Sequence, residues 1–224
     1  MTLRAAPVTL DTTGMQEMTG TQGDRLYLDP STGAKVGLFI VGDLAEPYWL
    51  DDLDLARRHL AREYAPVGCL IEANPITVGG VRGIAQLWKL PDPDRGHGLV
   101  FCVSVFLAKT TQTANIMYRM DESRLRATGI REAVVAGLRM REVPVLDEAA
   151  LDKLMWEPHP YDPGLRGRLP FNPADDEVWD EKFPGHPLTC ARAWLRDLDR
   201  IVTVDPAFAA LPDFRGTTRQ AKGR

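Results

Sequence analysis

Three cysteines, Cys69, Cys102 and Cys190, and four histidines, His59, His97, His159 and His186, are the side chains best equipped for chemistry in this 224-residue chain. A cysteine nucleophile needs a low-pKa thiol beside a histidine. Cys69 and Cys102 instead fall in apolar, strand-like runs, a setting that raises a thiol pKa. No CxxC occurs, so all three are expected to be reduced core residues. The histidines form neither HxxxH nor HxH, and no metal site or cofactor is expected from them. One stretch does gather acids and histidines: His159, Asp162, Asp175, Asp176, Glu177, Asp180 and His186. These are better explained as turn and capping residues of a surface arm, with Asp175-Asp176-Glu177 opening a short helix after Pro173.

Other catalytic frames are missing as well. Ser31, Ser104 and Ser123 sit in no GxSxG turn. The glycines of Gly79-Gly80-Val81-Arg82-Gly83 match neither phosphate-loop pattern and lead into a strand, so they predict a turn or bulge. With no catalytic signature, the expectation leans towards a non-enzyme that works by binding.

The elements that would position a binding surface are easier to read. Arg25–Asp29 and Lys35–Val41 form a first hairpin across Pro30-Ser31-Thr32-Gly33. From Leu50 to Tyr64, apolar residues recur at helical spacing, with acids at the start and arginines at the end, as the helix dipole favours. Then Cys69–Val78, Gly83–Leu90, Leu99–Ala108 and Ala114–Met120 make four strands whose short loops require antiparallel neighbours. The run over 99–107 is apolar on both faces except at Ser104, which marks a central strand covered above and below. The 50–64 helix supplies one cover. The other is expected from a helix capped at Thr128 or Gly129, with Ile130, Val134 and Leu138 as its buried stripe. A short helix over Asp147–Trp156 follows.

Beyond it, Pro158, Pro160, Pro163, Pro170, Pro173, Pro184 and Pro187 punctuate a segment that also carries Tyr161, Phe171, Trp179 and Phe183. So many aromatics predict an ordered, irregular arm docked on the body or on a partner. A last helix over Leu188–Val202 places Arg192, Arg196 and Arg200 on a solvated, partly ion-paired face. The expected division is a flexible start (1–23), an α+β domain (24–156), the arm and C-terminal helix (157–215) and a flexible tail (216–224).

Net charge is −4, with 44% hydrophobic and 26% charged residues, the make-up of an ordinary globular protein. Acids are interleaved with the basic residues, which disfavours nucleic acid as a partner. The N-terminal twenty residues hold no apolar run of signal-peptide length, and no segment of about 18 apolar residues follows. A cytoplasmic location without membrane insertion is therefore expected.

The order of two strands, a helix, a four-strand meander and a second helix resembles the Mog1/PsbP-like fold over about residues 24–142. The resemblance rests on Gly83 opening a strand, the run Ala114–Met120, and Gly129-Ile130-Arg131-Glu132-Ala133 starting the last helix. It implies an antiparallel sheet flanked by helices, and relatives that are binding or accessory proteins, among them DcrB-like chaperones that hold hydrophobic segments of secreted effectors. The chain departs from these relatives after Glu142 and lacks the lipobox cysteine of the lipoprotein members. The expected partner is another protein, met on the sheet face that the first helix leaves open, with Trp88, Phe106 and Tyr118 as aromatic anchors. Two rival readings stand beside it. One is an enzyme or small-molecule binder using a pocket between sheet and arm lined by His159, Tyr161, Asp162 and Arg166. The other is a homo-oligomer that pairs its apolar sheet faces.

Overall fold

A computed structural model describes residues 6–18, 25–41, 51–94, 97–122, 129–141 and 156–214. Ser123, Thr128, most of the helix expected over 147–156 and the tail 216–224 lie outside them. The fold is α+β with antiparallel sheets, as expected. Strands β2 (Gln16–Met18), β3 (Arg25–Leu28), β4 (Lys35–Val41), β5 (Cys69–Val78), β6 (Val81–Pro91), β7 (Leu99–Lys109) and β8 (Gln112–Asp121) form a seven-stranded sheet in the order β2-β3-β4-β8-β7-β6-β5. Every pairing in it is antiparallel. A second, two-stranded sheet joins β1 (Val8–Leu10) to β9 (Val202–Val204) near the other end of the chain. The N-terminal segment is thus not frayed throughout. A three-residue strand that pairs with a partner so far along the chain leaves no local periodicity to read.

The hairpin turns obey their chemistry. Gly79 and Gly80 both take positive φ, 53° and 79°, as a two-residue link between right-twisting strands demands. Gly37 serves a different end: a Cβ there would lie 2.6 Å from the ring of Phe39, so the glycine lets that aromatic lie flat on its own strand.

Period-2 alternation sorts the sheet residues onto two faces. On the first, α1 (Leu53–Tyr64) starts at the Asp52 cap, whose carboxylate accepts the Leu55 N–H at 3.0 Å. It lays Leu60 and Ala61 on Leu70, Ala73 and Ile84, covering the β5–β6 end. On the second face, Val103, Val105, Leu107 and Ile116 are fully buried beneath α3 (Pro187–Arg196), with Leu188, Ala191 and Trp194 in the same core cluster. α3 lies over β7 and β8. The two helices therefore cover the sheet diagonally.

Three expectations need correction. The second cover is α3 and not α2 (Ile130–Met140), which packs on the arm around Pro173–Asp175. Ile130, Val134 and Leu138 are exposed at 49%, 42% and 37%, whereas Arg131 on the other side of α2 is fully buried. The helical period is real, but an arginine fully paired by the arm outcompetes the aliphatic stripe for the inside. The helix expected over 188–202 breaks at Asp197 into α3 and α4 (Leu198–Ile201), followed by α5 (Pro206–Ala209). Arg192 is buried at 5% and does not lie on a solvated face, whereas Arg196 and Arg200 do.

Candidate functional site

Because α1 covers only the β5–β6 end, the rest of the first face offers a strip of half-buried apolar side chains. Register places Phe39 of β4, Asn115 of β8 and Phe106 of β7 in one row. Leu26 of β3, Gly37 and Met117 lie in the next. Leu26, Phe39, Phe106 and Met117 are all partly exposed, in contrast to the closed core on the second face. Within this setting Asn115 Oδ1 and Trp88 Nε1 are buried without a hydrogen-bond partner among the described residues. An unpaired buried acceptor and donor cost free energy that a further partner would recover.

Of the three expected anchors, Phe106 alone belongs to this strip. Trp88 shares its face but lies at the margin of α1, stacked on Tyr64 at 4.8 Å. Tyr118 pairs with Val103, which puts it on the opposite face, 5% exposed and stacked on Trp194 at 5.3 Å. Its hydroxyl donates to Met120 Sδ, so it is a core residue. Leu26, Phe39 and Met117 escaped the sequence reading. The alternation within 35–41 and 112–121 was the signal that could have placed them.

The expected quartet in the arm does not converge on a cavity. Each member grips the body instead. His159 Nε2 donates to the Leu70 carbonyl at 3.0 Å, and the Tyr161 hydroxyl accepts the Ala73 N–H at 3.1 Å. From α1, Arg57 Nε donates to the Ala73 carbonyl at 2.8 Å. β5 is an edge strand, and these three side chains cap outward-facing backbone groups that would otherwise template pairing with another chain. Asp162 pairs with Arg62 at 2.8 Å, and Arg166 lies over the Trp156 ring at 5.4 Å. The crevice beside His159 holds only about 10 Å³, room for one water. Burial holds the His159 imidazole below its usual pKa, which keeps it neutral.

Beneath the arm lies a buried ionic network that sequence reasoning missed. Lys89 Nζ meets Asp175 Oδ2 at 2.6 Å with both side chains at least 98% buried. Arg131 donates to the carbonyls of Ala174 and Asp176 and pairs with Asp180 at 2.9 Å. Arg192 reaches Glu72, Asp180 and the Asp175 carbonyl at 2.6, 2.9 and 2.6 Å. Asp162 and Asp175 are thus engaged by Arg62 and Lys89 of the body, and Asp180 by Arg131 of α2 and Arg192 of α3.

A different trio does gather ligand-type atoms within 4.8 Å of one another: Glu122, Glu132 and His186. Its hydrogen bonds argue against an ion. His186 Nδ1 accepts the Leu188 N–H as the cap of α3, so the ring proton belongs on Nε2, which faces Glu122 Oε1 at 3.3 Å. A cation at Nε2 would require that proton to move to Nδ1 and break the cap. The trio is a latch joining the end of β8, the start of α2 and the start of α3. Glu132 is its uncomfortable member. Burial, and then the charge of Glu122, raise its pKa, and its Oε2 finds no partner among the described residues. A carboxyl raised on folding contributes stability that is fully present below the unfolded pKa and lost as pH rises through the folded value. Glu132→Gln is therefore expected to raise the melting temperature near pH 8 and leave it unchanged near pH 4. Thermal melts of both proteins across that range check it.

Two of the three thiols lie in the core as expected, whereas Cys190 is only half-buried. Burial pushes Cys69 and Cys102 up to about 12, so both are protonated and inert at neutral pH.

A scan of family models gives no match to the chain, and a search of curated proteins gives none either. Among solved structures, one that is similar is a Pseudomonas aeruginosa protein of unknown function. It shares 13% identity at a TM-score of 0.30, over 59% of this chain and 99% of that one. That likeness is too slight to carry an inference. Among the described residues, no helix is long and apolar enough to cross a membrane.

Proposed function

We propose that this chain is a cytoplasmic protein-binding module that holds an apolar segment of a partner protein against the sheet face beyond α1, in the manner of a chaperone or adaptor for a secreted protein. One observation carries the reading. Leu26, Phe39, Phe106 and Met117 form a half-buried apolar strip on the seven-stranded sheet, while α3 packs over β7 and β8 on the opposite face. Aromatic and methionine side chains on a preformed surface supply contact area at low ordering cost, and Met adapts to varied apolar partners. The unpaired Asn115 Oδ1 beside the strip adds one polar group able to fix a bound segment in register. The resemblance to the DcrB-like members of the Mog1/PsbP-like fold points to the same class of partner.

A photo-crosslinking side chain placed at Met117 tests this, with the exposed Asp199 as the control position. Crosslinking in cells of the source organism should join position 117, and not 199, to one apolar peptide of another protein, identified by mass spectrometry. Equal labelling from both sites, or none, would sink the reading. A crosslink to a second copy of the chain would replace it with the homo-oligomer.

A further inference from the structure

Diagonal coverage leaves a second open area, on the other face. Between the β5–β6 end of the sheet and α3 lies a hollow of about 230 Å³ that none of the four strip residues lines. Its floor is aliphatic, built from Ile76 of β5, Ala85 and Leu87 of β6, and Leu195 of α3. Its rim carries both signs of charge: Glu72 and Glu177 against Arg192 and Arg196.

Three physical points narrow the ligand. The volume falls short of the roughly 300–1,000 Å³ that drug-sized ligands and cofactors occupy, and suits a single large amino-acid residue. The rim charges balance, so a ligand with a large net charge gains nothing. The two ion pairs also differ in stiffness. Arg192 is 5% exposed and held by Glu72, Asp180 and the Asp175 carbonyl, so that wall is already fixed and loses no side-chain freedom on binding. Arg196 and Glu177 meet at 3.5 Å with side chains 58% and 70% exposed, a loose pair that separates at little cost. Once parted, one is a donor for a carboxylate or carbonyl and the other an acceptor for an ammonium or amide N–H.

We infer that this hollow binds one bulky aliphatic amino-acid residue, its side chain on the Ile76–Leu87–Leu195 floor, its acceptor group on Arg196 and its donor group on Glu177. The same chemistry is offered by a free amino acid and by a residue within a peptide. The site is independent of the apolar strip and stands whether or not that strip binds a protein.

The experiment is a titration of methyl-labelled protein followed by NMR, with L-leucine and N-acetyl-L-leucinamide as probes and glycine and N-acetylglycinamide as controls. Expected are saturable shifts at the methyls of Ile76, Leu87 and Leu195, with the glycine compounds at least about tenfold weaker because they leave the apolar floor empty. A response to leucine alone assigns the site to free amino acids. A response to the amide assigns it to peptide residues. Leu195→Asp should weaken binding about tenfold or more, with the Leu26 and Met117 methyl resonances unchanged as the check on folding. If that variant does not fold, the exposed Arg196→Ala provides the same test. Absence of saturable shifts up to the solubility limit of both leucine compounds, or glycine compounds that bind equally well, would overturn the inference.

Discussion

A chain ended at Glu157 is expected to show no cooperative unfolding transition and no near-UV circular dichroism of a packed core. The arm looks like an appendage in the sequence, yet its removal takes Leu188, Ala191 and Trp194 away from the fully buried Val103, Val105, Leu107 and Ile116. Each large aliphatic side chain returned to water forfeits about 1.5–3 kcal/mol, so a few of them exhaust the 5–15 kcal/mol by which a domain is stable. The same cut strips β1 of β9, removes the His159 and Tyr161 caps from β5, and leaves Lys89 without Asp175. Urea titration of the two chains, followed by fluorescence and circular dichroism, reads the outcome. A native-like transition in the shortened chain would show that the sheet is stable alone. As the fold stands, deletion of the arm cannot serve as a control for binding.

Asp175→Asn should be the most damaging of the conservative single changes. The amide can still accept the Asn172 N–H, now at 2.9 Å, so the local turn keeps its cap. What it loses is the negative charge facing a Lys89 ammonium that is 98% buried. An unpaired charge in such a site costs about 3–5 kcal/mol, which at a typical urea slope for a chain of this size lowers the midpoint by about 1–2 M. The double variant Lys89→Met with Asp175→Asn removes the stranded charge and should recover most of that loss. If the double variant is as unstable as the single, the ion pair is not what the site depends on.

How far the sequence reached follows from what is local. The 25–41 hairpin, α1 and the four-strand meander were legible because each announces itself by alternation, helical period or a turn within a dozen residues. The face on which a residue falls was harder. Phe106 and Tyr118 sit on neighbouring strands and look equivalent in sequence, but the register Val103↔Tyr118 sends them to opposite sides. A period finds a stripe without saying which stripe faces inwards. On α2 the outcome was decided by Arg131, whose partners Ala174, Asp176 and Asp180 lie more than forty residues away. Arg192 was likewise read as solvent-facing, because nothing nearby in the chain reveals that Glu72 and Asp180 meet it. Of the strip residues, Phe106 is the one that the sequence singles out. Its companions Leu26 and Phe39 belong to strands that join the meander only through β8.

The β1–β9 ladder, Val8 opposite Val204 and Leu10 opposite Val202, fastens the start of the chain to its end. In equilibrium terms such a long closure costs little extra, about 0.6 kcal/mol per doubling of loop length. In time it costs more. At about 5–20 residues per second, the ribosome delivers the second half of this clasp roughly 10–40 s after the first. α3 emerges only just before it, so the apolar second face of the sheet, complete once β8 ends at Asp121, waits for its cover until Pro187–Arg196 has been made. The native state is therefore reached only once β9 has been made, and until then the nascent sheet carries an apolar face that a chaperone would shield.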